Sequence, residues 1–245
     1  MGRAHEVRAA SMAKTAAAKS KLNAKWSKII YMAAKSGVPD PELNQKLKRE
    51  IEKAKREQVT AECIKKAIEK AKGGTGENFE PIRYEGFGPN GSMMIVECLT
   101  DNTNRTLVAV RTAMSRCGFN LGAIGSVAHL FNNYAVFAFD NLSEDEALEI
   151  LLMADVDVQE YETDEDGVVT ICAPHTDYSK ARDALTDAKP DINFLEDHIL
   201  WLPPSYVTFS DEKSISQLER CIDSLNEIDD VQDIYHNVEV VREEE

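Results

Sequence analysis

The chain has 245 residues and a 43% hydrophobic content, enough to fill one large core or two to three small ones, which excludes wholesale disorder. No run approaches 18 apolar residues, and the start MGRAHEVRAASMAK lacks the apolar core of a secretory signal, so a cytoplasmic protein is expected. The net charge of −15 hides a division: residues 1–74 carry 18 Lys+Arg against 8 Asp+Glu, and the remaining residues carry 10 against 35. A basic module is joined to an acidic body, an asymmetry that bears on partners rather than on fold.

The basic part reads as three helices. Leu22, Trp26, Ile29, Ile30 and Ala33 form one apolar stripe, and Gly37 ends that helix. Asp40 and Pro41 are expected to open the second as N-cap and first helical residue, with Leu43, Leu47, Ile51 and Ala54 buried. A third helix begins near Thr60, presents Ile64, Ala67, Ile68 and Ala71, and stops at Gly73-Gly74. The segment 73–81 then reads as a linker.

Beyond it the period changes. MMIVECL (93–99) predicts a strand, Thr103 to Cys117 a helix, and SVAHLF (126–131) a second strand. A βαββαβ series follows. Strand 135–139 leads through the capping box Ser143-x-x-Glu146 into a helix, then strand 156–161, an Asp166-Gly167 turn and strand 168–172. A helix from Thr176 and a strand within 192–202 complete a ferredoxin-like unit. Strand 206–209, a helix bearing Ile215, Leu218, Ile222 and Leu225, and strand 231–238 close the chain.

The fold expected is therefore α+β and multidomain: a three-helix domain at 1–76, a discontinuous α/β domain at 77–132 and 205–245, and a ferredoxin-like domain at 133–204 inserted into it.

Motifs for small-molecule chemistry are sparse. GFGPNG (86–91) fits G-x-G-x-x-G, but it leads into a strand instead of a helix and Pro89 removes a backbone donor, so it is a turn. There is no Walker A sequence, G-x-S-x-G or H-E-x-x-H, and the five histidines are unpaired in sequence. The five scattered cysteines read as reduced and buried, without zinc spacing. No catalytic residue, metal or cofactor is expected; an enzyme would need a site between the α/β domains. Phe137 and Phe139 share a face of one strand but read as core, not as a base-stacking platform, because the third strand carries no aromatic.

The basic helices carry the candidate site. Arg3, Arg8, Lys14, Lys19, Lys21, Lys25 and Lys28 fall mostly off the apolar stripe, a pattern suited to phosphate contacts without base readout. The alternative is a solvated lysine face. The acidic remainder disfavours wrapping along naked duplex.

YEGFGPNGS (84–92), VECLTDNTNRT (96–106), GFNLGAIGSVAHLF (118–131) and DDVQDIYHNVEV (229–240) together resemble the YebC family, which includes the mitochondrial translational activator of cytochrome c oxidase. The resemblance implies a helical N-terminal domain followed by two α/β domains, one inserted in the other. It implies no established active site, and a role either in transcriptional regulation with DNA binding or in ribosome-associated translation. One departure is the N-terminus: GRAHEVRAAS stands where the family more often resembles G-H-S-K-W-x-N-I, and the tryptophan comes later, as Trp26. Within the matched stretches, Asn90, Asn102, Arg105, Tyr235, His236 and Asn237 are candidates for partner contact, with turn-building as the plainer role. The expected protein is a monomeric, non-enzymatic gene-expression factor. Its partner would be nucleic acid, as ribosomal RNA on the ribosome or, alternatively, promoter DNA; no membrane is involved.

Overall fold

The computed structural model describes residues 18–74, 76 and 78–241, with side chains from Lys21 onward. The chain is mixed α+β and divides into two units. One spans 131–202; the other runs to residue 130 and resumes at 203.

The second unit begins with helices α1 (Ala18–Lys35), α2 (Gln45–Arg56) and α3 (Ala61–Lys72). Trp26, Ile30, Ala33, Leu47, Ile51, Ala54, Ile64 and Ala67 form their core, the stripes read from the sequence. The Trp26 indole N–H donates to Glu57 Oε2 at 3.0 Å. The start of α2 differs from expectation. Asn44, not Asp40, is its N-cap: Oδ1 accepts from Leu47 N, while Nδ2 donates to the carbonyls of Ala33 and Val38. One amide side chain thus satisfies the end of α1 and the start of α2, and Leu43, left outside the helix, is 73% exposed.

Strands β1 (Glu80–Phe87) and β2 (Met93–Thr100) form an antiparallel hairpin; helix α4 (Thr103–Arg116) and the short β3 (Asn120–Leu121) follow. After residue 203 come β8 (Val207–Phe209), α7 (Glu212–Asn226), β9 (Val231–His236) and β10 (Val238–Val240). The main sheet has the order β3-β1-β2-β9, and β10 pairs in parallel with β8. Tyr84, Met94, Val96 and Cys98 face α4 and α7, where Met114, Phe119, Leu218 and Leu225 close the core.

The expected strand at 126–131 is absent. Glu85, 2% exposed, accepts from the backbone N–H groups of Gly125, Val127 and Ala128, so the donors a ladder would use are taken by one carboxylate. The segment is a loop with a 3-10 turn at Ala128–Leu130. Burial raises the Glu85 carboxyl, but the three amides outweigh it and hold the group below its usual value.

The unit at 131–202 contains β4 (Asn132–Phe139), α5 (Glu144–Met153), β5 (Glu160–Thr163), β6 (Val169–Pro174), α6 (Tyr178–Ala188) and β7 (Phe194–Leu202). The sheet order β5-β6-β4-β7, antiparallel throughout, is ferredoxin-like. The capping box of Ser143 and Glu146 opens α5. Strand β5 starts later than the sequence suggests, because Val156 and Val158 pack on the core before pairing begins. Phe137 and Phe139 are fully buried among Leu151, Ile171 and Leu185.

Candidate functional site

Helix α1 carries two stripes. One is the apolar stripe in the helical core. The other carries Lys21, Lys25 and Lys28, at i, i+4 and i+7, and meets the acidic start of β9. Lys25 Nζ donates to Asp233 Oδ1 at 2.6 Å and to the Gln232 carbonyl at 2.8 Å. Lys28 Nζ donates to Asp230 Oδ1 at 2.7 Å and to the carbonyls of Asp229 and Leu99. It also lies 5.4 Å from the centre of the Phe79 ring, whose edge-to-face partner is Tyr31.

Asp230 is the centre of this arrangement. The residue is 5% exposed, and its second oxygen accepts from Arg105 at 2.8 Å, Thr106 Oγ1 at 2.7 Å and Thr100 Oγ1 at 3.0 Å. Burial raises its carboxyl, but hydrogen bonds from Arg105, Lys28 and Thr106 reverse that and hold it far below the usual carboxylate range. Asn102 accepts from Arg105 N and so caps α4, and Arg105 also pairs with Asp101 at 2.7 Å. The stretch TDNTNRT therefore builds a helix start whose side chains converge on Asp230.

Lys21 lacks an equivalent partner. Its Nζ is shielded from solvent without a hydrogen-bond acceptor, and so is the neighbouring strand's Gln232 Oε1 as an acceptor without a donor. Burial and the nearby Lys25 lower the Lys21 ammonium's pKa, against the attraction of Asp229 and Glu227. The lysines expected to face phosphate thus face the chain's own aspartates here. Arg3, Arg8 and Lys14 lie outside the described residues, as does the side chain of Lys19.

The candidates for partner contact are split between the two ends of β2. Asn102 and Arg105 lie at the Asp230 end, both exposed. Asn90 and Asn237 lie at the other. The GFGPNG stretch is the β1–β2 turn: Gly88 N donates to Ser92 O, and Asn90 sits at φ 56°. A Cβ on Gly88 would come within 2.2 Å of the Phe119 ring, so close packing fixes that glycine. Asn90 Nδ2 reaches Ser214 Oγ at 3.4 Å. Asn237, 2% exposed, accepts from Met93 N at 2.7 Å and sits where the chain leaves β2 to pair with β8. Tyr235 and His236 are partly covered in β9, and burial lowers the His236 pKa.

Sequence reading missed Glu85, Asp230 and Asp233 as organising residues. Asp230 reads from the sequence as an ordinary turn carboxylate and Asp233 as one residue of the last strand; Lys28, Arg105, Thr100 and Thr106 explain the first and Lys25 the second, all distant in sequence. Among the described residues, exposed cations remain on α2 and α3, including Lys46, Lys48, Lys55 and Lys72. Among the described residues no group of three His, Cys, Asp or Glu side chains could hold a metal ion, and no helix is long and apolar enough to cross a membrane.

Comparison with known proteins places these features in a family. Residues 3–74 match the TACO1/YebC protein N-terminal domain, and residues 79–238 match the TACO1/YebC second and third domain. A protein of Alteromonas mediterranea is 52% identical over 97% of this chain and 98% of its own. One of Acholeplasma laidlawii is 53% identical over 97% and 98%, and both are named probable transcriptional regulatory proteins. The crystal structure of a conserved hypothetical protein from Aquifex aeolicus superposes with a TM-score of 0.74 at 34% identity, covering 94% of each chain. With both matches in sequence order along nearly the whole length, the chain belongs to the TACO1/YebC family.

Proposed function

We propose that this chain is a non-enzymatic, monomeric regulator of gene expression that binds nucleic acid through its helical N-terminal domain and acts as a ribosome-associated translation factor. The observation that carries the reading is the segregation of charge. Residues 45–72 hold 10 Lys+Arg against 5 Asp+Glu, while everything after residue 74 holds 10 against 35. A long polyanion is repelled by such a body, but a local phosphate surface can meet the basic module alone. With Lys25 and Lys28 engaged internally, the exposed cations of α2 and α3 make the first contact. Asn90, Asn102 and Arg105 lie on exposed surface of the body and are available to a protein partner.

Sedimentation of cell extract through sucrose gradients at low and moderate salt tests this. Co-migration with ribosomes, lost on reversing Lys46, Lys48, Lys55 and Lys72 to Glu, is the expected result. Absence from ribosomal fractions at every salt concentration overturns it. A second reading, a DNA-binding transcriptional regulator, draws on the names of the relatives. It requires sequence-selective retention of a promoter fragment, because phosphate contacts alone carry no sequence information.

A further inference from the structure

We propose that the Lys21/Lys25/Lys28 face of α1 is a second, masked RNA-binding surface, covered by a strip of aspartates that stands in for phosphates and is displaced by RNA. The inference rests on the nucleic-acid-binding role proposed above and adds a mechanism to it.

Three observations support it. First, the ammonium groups are held by the acceptor type that a phosphodiester chain offers: anionic oxygens from Asp230 and Asp233, supplemented by carbonyls of Leu99, Asp229 and Gln232. Phosphate oxygens can take these places with the same charge-assisted geometry. Second, the helical core and the α/β core share no member, so beside the Tyr31–Phe79 ring contact the α1 face meets β9 through ionic contacts rather than one continuous apolar interior. Ionic contacts are the ones that salt and polyanions weaken.

Third, the fit is incomplete. The strip satisfies Lys25 and Lys28 but leaves Lys21 Nζ and Gln232 Oε1 buried without partners. Unsatisfied buried groups disfavour the docked state. Release would let Lys21 find an acceptor together with its two neighbours, so RNA gains three ammonium contacts where the aspartates make two. The connection between helices and body contains Gly73, Gly74 and Gly76, the residue type that restricts the backbone least. RNA is favoured over duplex DNA as the occupant for the same reason as above: the body's negative charge opposes a long, uniform polyanion.

Full-length protein carrying spin labels at Gln45→Cys and Arg111→Cys, in a Cys63→Ser background, reports the spacing of α2 and α4 without removing any of the lysines assigned to binding. Asp233→Asn should widen that distance distribution. It should also tighten binding of a fluorescent oligouridylate by about three- to tenfold, because a larger fraction of molecules is competent to bind. Asp233→Lys should widen it further, and adding Lys25→Glu should restore docking by reversing the pair. Saturating oligouridylate should release α1 in the unmutated chain.

If that chain binds RNA but Asp233→Asn binds no tighter, or α2 and α4 keep their spacing in saturating RNA, masking is overturned while the proposed function stands. If neither form binds RNA under any salt condition, both readings fall. If duplex DNA gains affinity on Asp233→Asn and oligouridylate does not, RNA is overturned as the occupant.

Discussion

Replacing Asp230 with Asn tests whether one carboxylate joins α1, α4 and the sheet. The change keeps the side-chain size but removes the negative charge between Lys28 and Arg105, and it leaves one acceptor oxygen for four donors. Arg105 is 56% exposed on its side chain and returns to water at little cost. Lys28 is only 16% exposed, so most of the loss lies there. The two threonine hydroxyls can partly compensate by turning to each other, because Thr106 Oγ1 lies 2.8 Å from Thr100 Oγ1. Breaking a buried pair on one side costs about 3–5 kcal/mol, and the partial exposure of Lys28 places the expected loss near the lower end, about 3 kcal/mol. Urea unfolding followed by circular dichroism should show the midpoint falling by about 1–3 M, given slopes of about 1–3 kcal/mol/M. Arg105→Ala should cost less than about 1 kcal/mol in the same assay. Equal losses for the two variants would refute the assignment of Asp230 as the centre.

Three further outcomes are expected. Gly88→Ala should destabilise by about 2–3 kcal/mol through overlap with the Phe119 ring and Ser92, whereas Gly91→Ala should cost about 1 kcal/mol, from its φ of +78° alone; thermal unfolding distinguishes them. The Glu85 carboxyl is held below its ordinary 4.5, so its stabilisation is complete above that value and is lost as pH falls through the folded value. The stability gap between the unmutated chain and Glu85→Gln, about 2 kcal/mol at neutral pH, should therefore shrink on acidification, measured as urea midpoints against pH. Asn44→Ala should cost about 1–2 kcal/mol, because it removes the cap of α2 together with the bonds to Ala33 and Val38.

The architecture was legible where burial follows a clean period. The α1 stripe, the α5 capping box and the buried Phe137 and Phe139 each express a local rule that packing reinforces. The errors occurred where a distant side chain overrode local preference. Residues 126–131 alternate like a strand, yet Glu85 on the neighbouring strand β1 takes the amides of Val127 and Ala128. Asp40-Pro41 has good helix-start chemistry, but Asn44 serves two helices at once and sets the boundary. Strand β1 was hidden because Pro81 and Gly86 weaken its pattern, although it pairs with β2 from Glu80 to Phe87. At the site, the lysines of α1 were visible but their orientation was not. Charge composition separates a basic module from an acidic body; it does not reveal that three of those lysines lie against that body.

The switch at Asn237 also has a consequence for the order in which the molecule can be completed. Strands β4 to β7 find all their sheet partners before residue 203. By contrast, Met94 must wait for His236, Val207 for Val238 and Lys25 for Asp233, 208 positions later. On a chain emerging from the N-terminus, the ferredoxin-like unit can close first while the edge of β2 stands open. The final stretch, 231–240, then completes both remaining sheets and the contact with α1 in one step. Truncation just before residue 231 should accordingly leave a folded 131–202 unit beside an unfinished partner whose exposed strand edge invites aggregation.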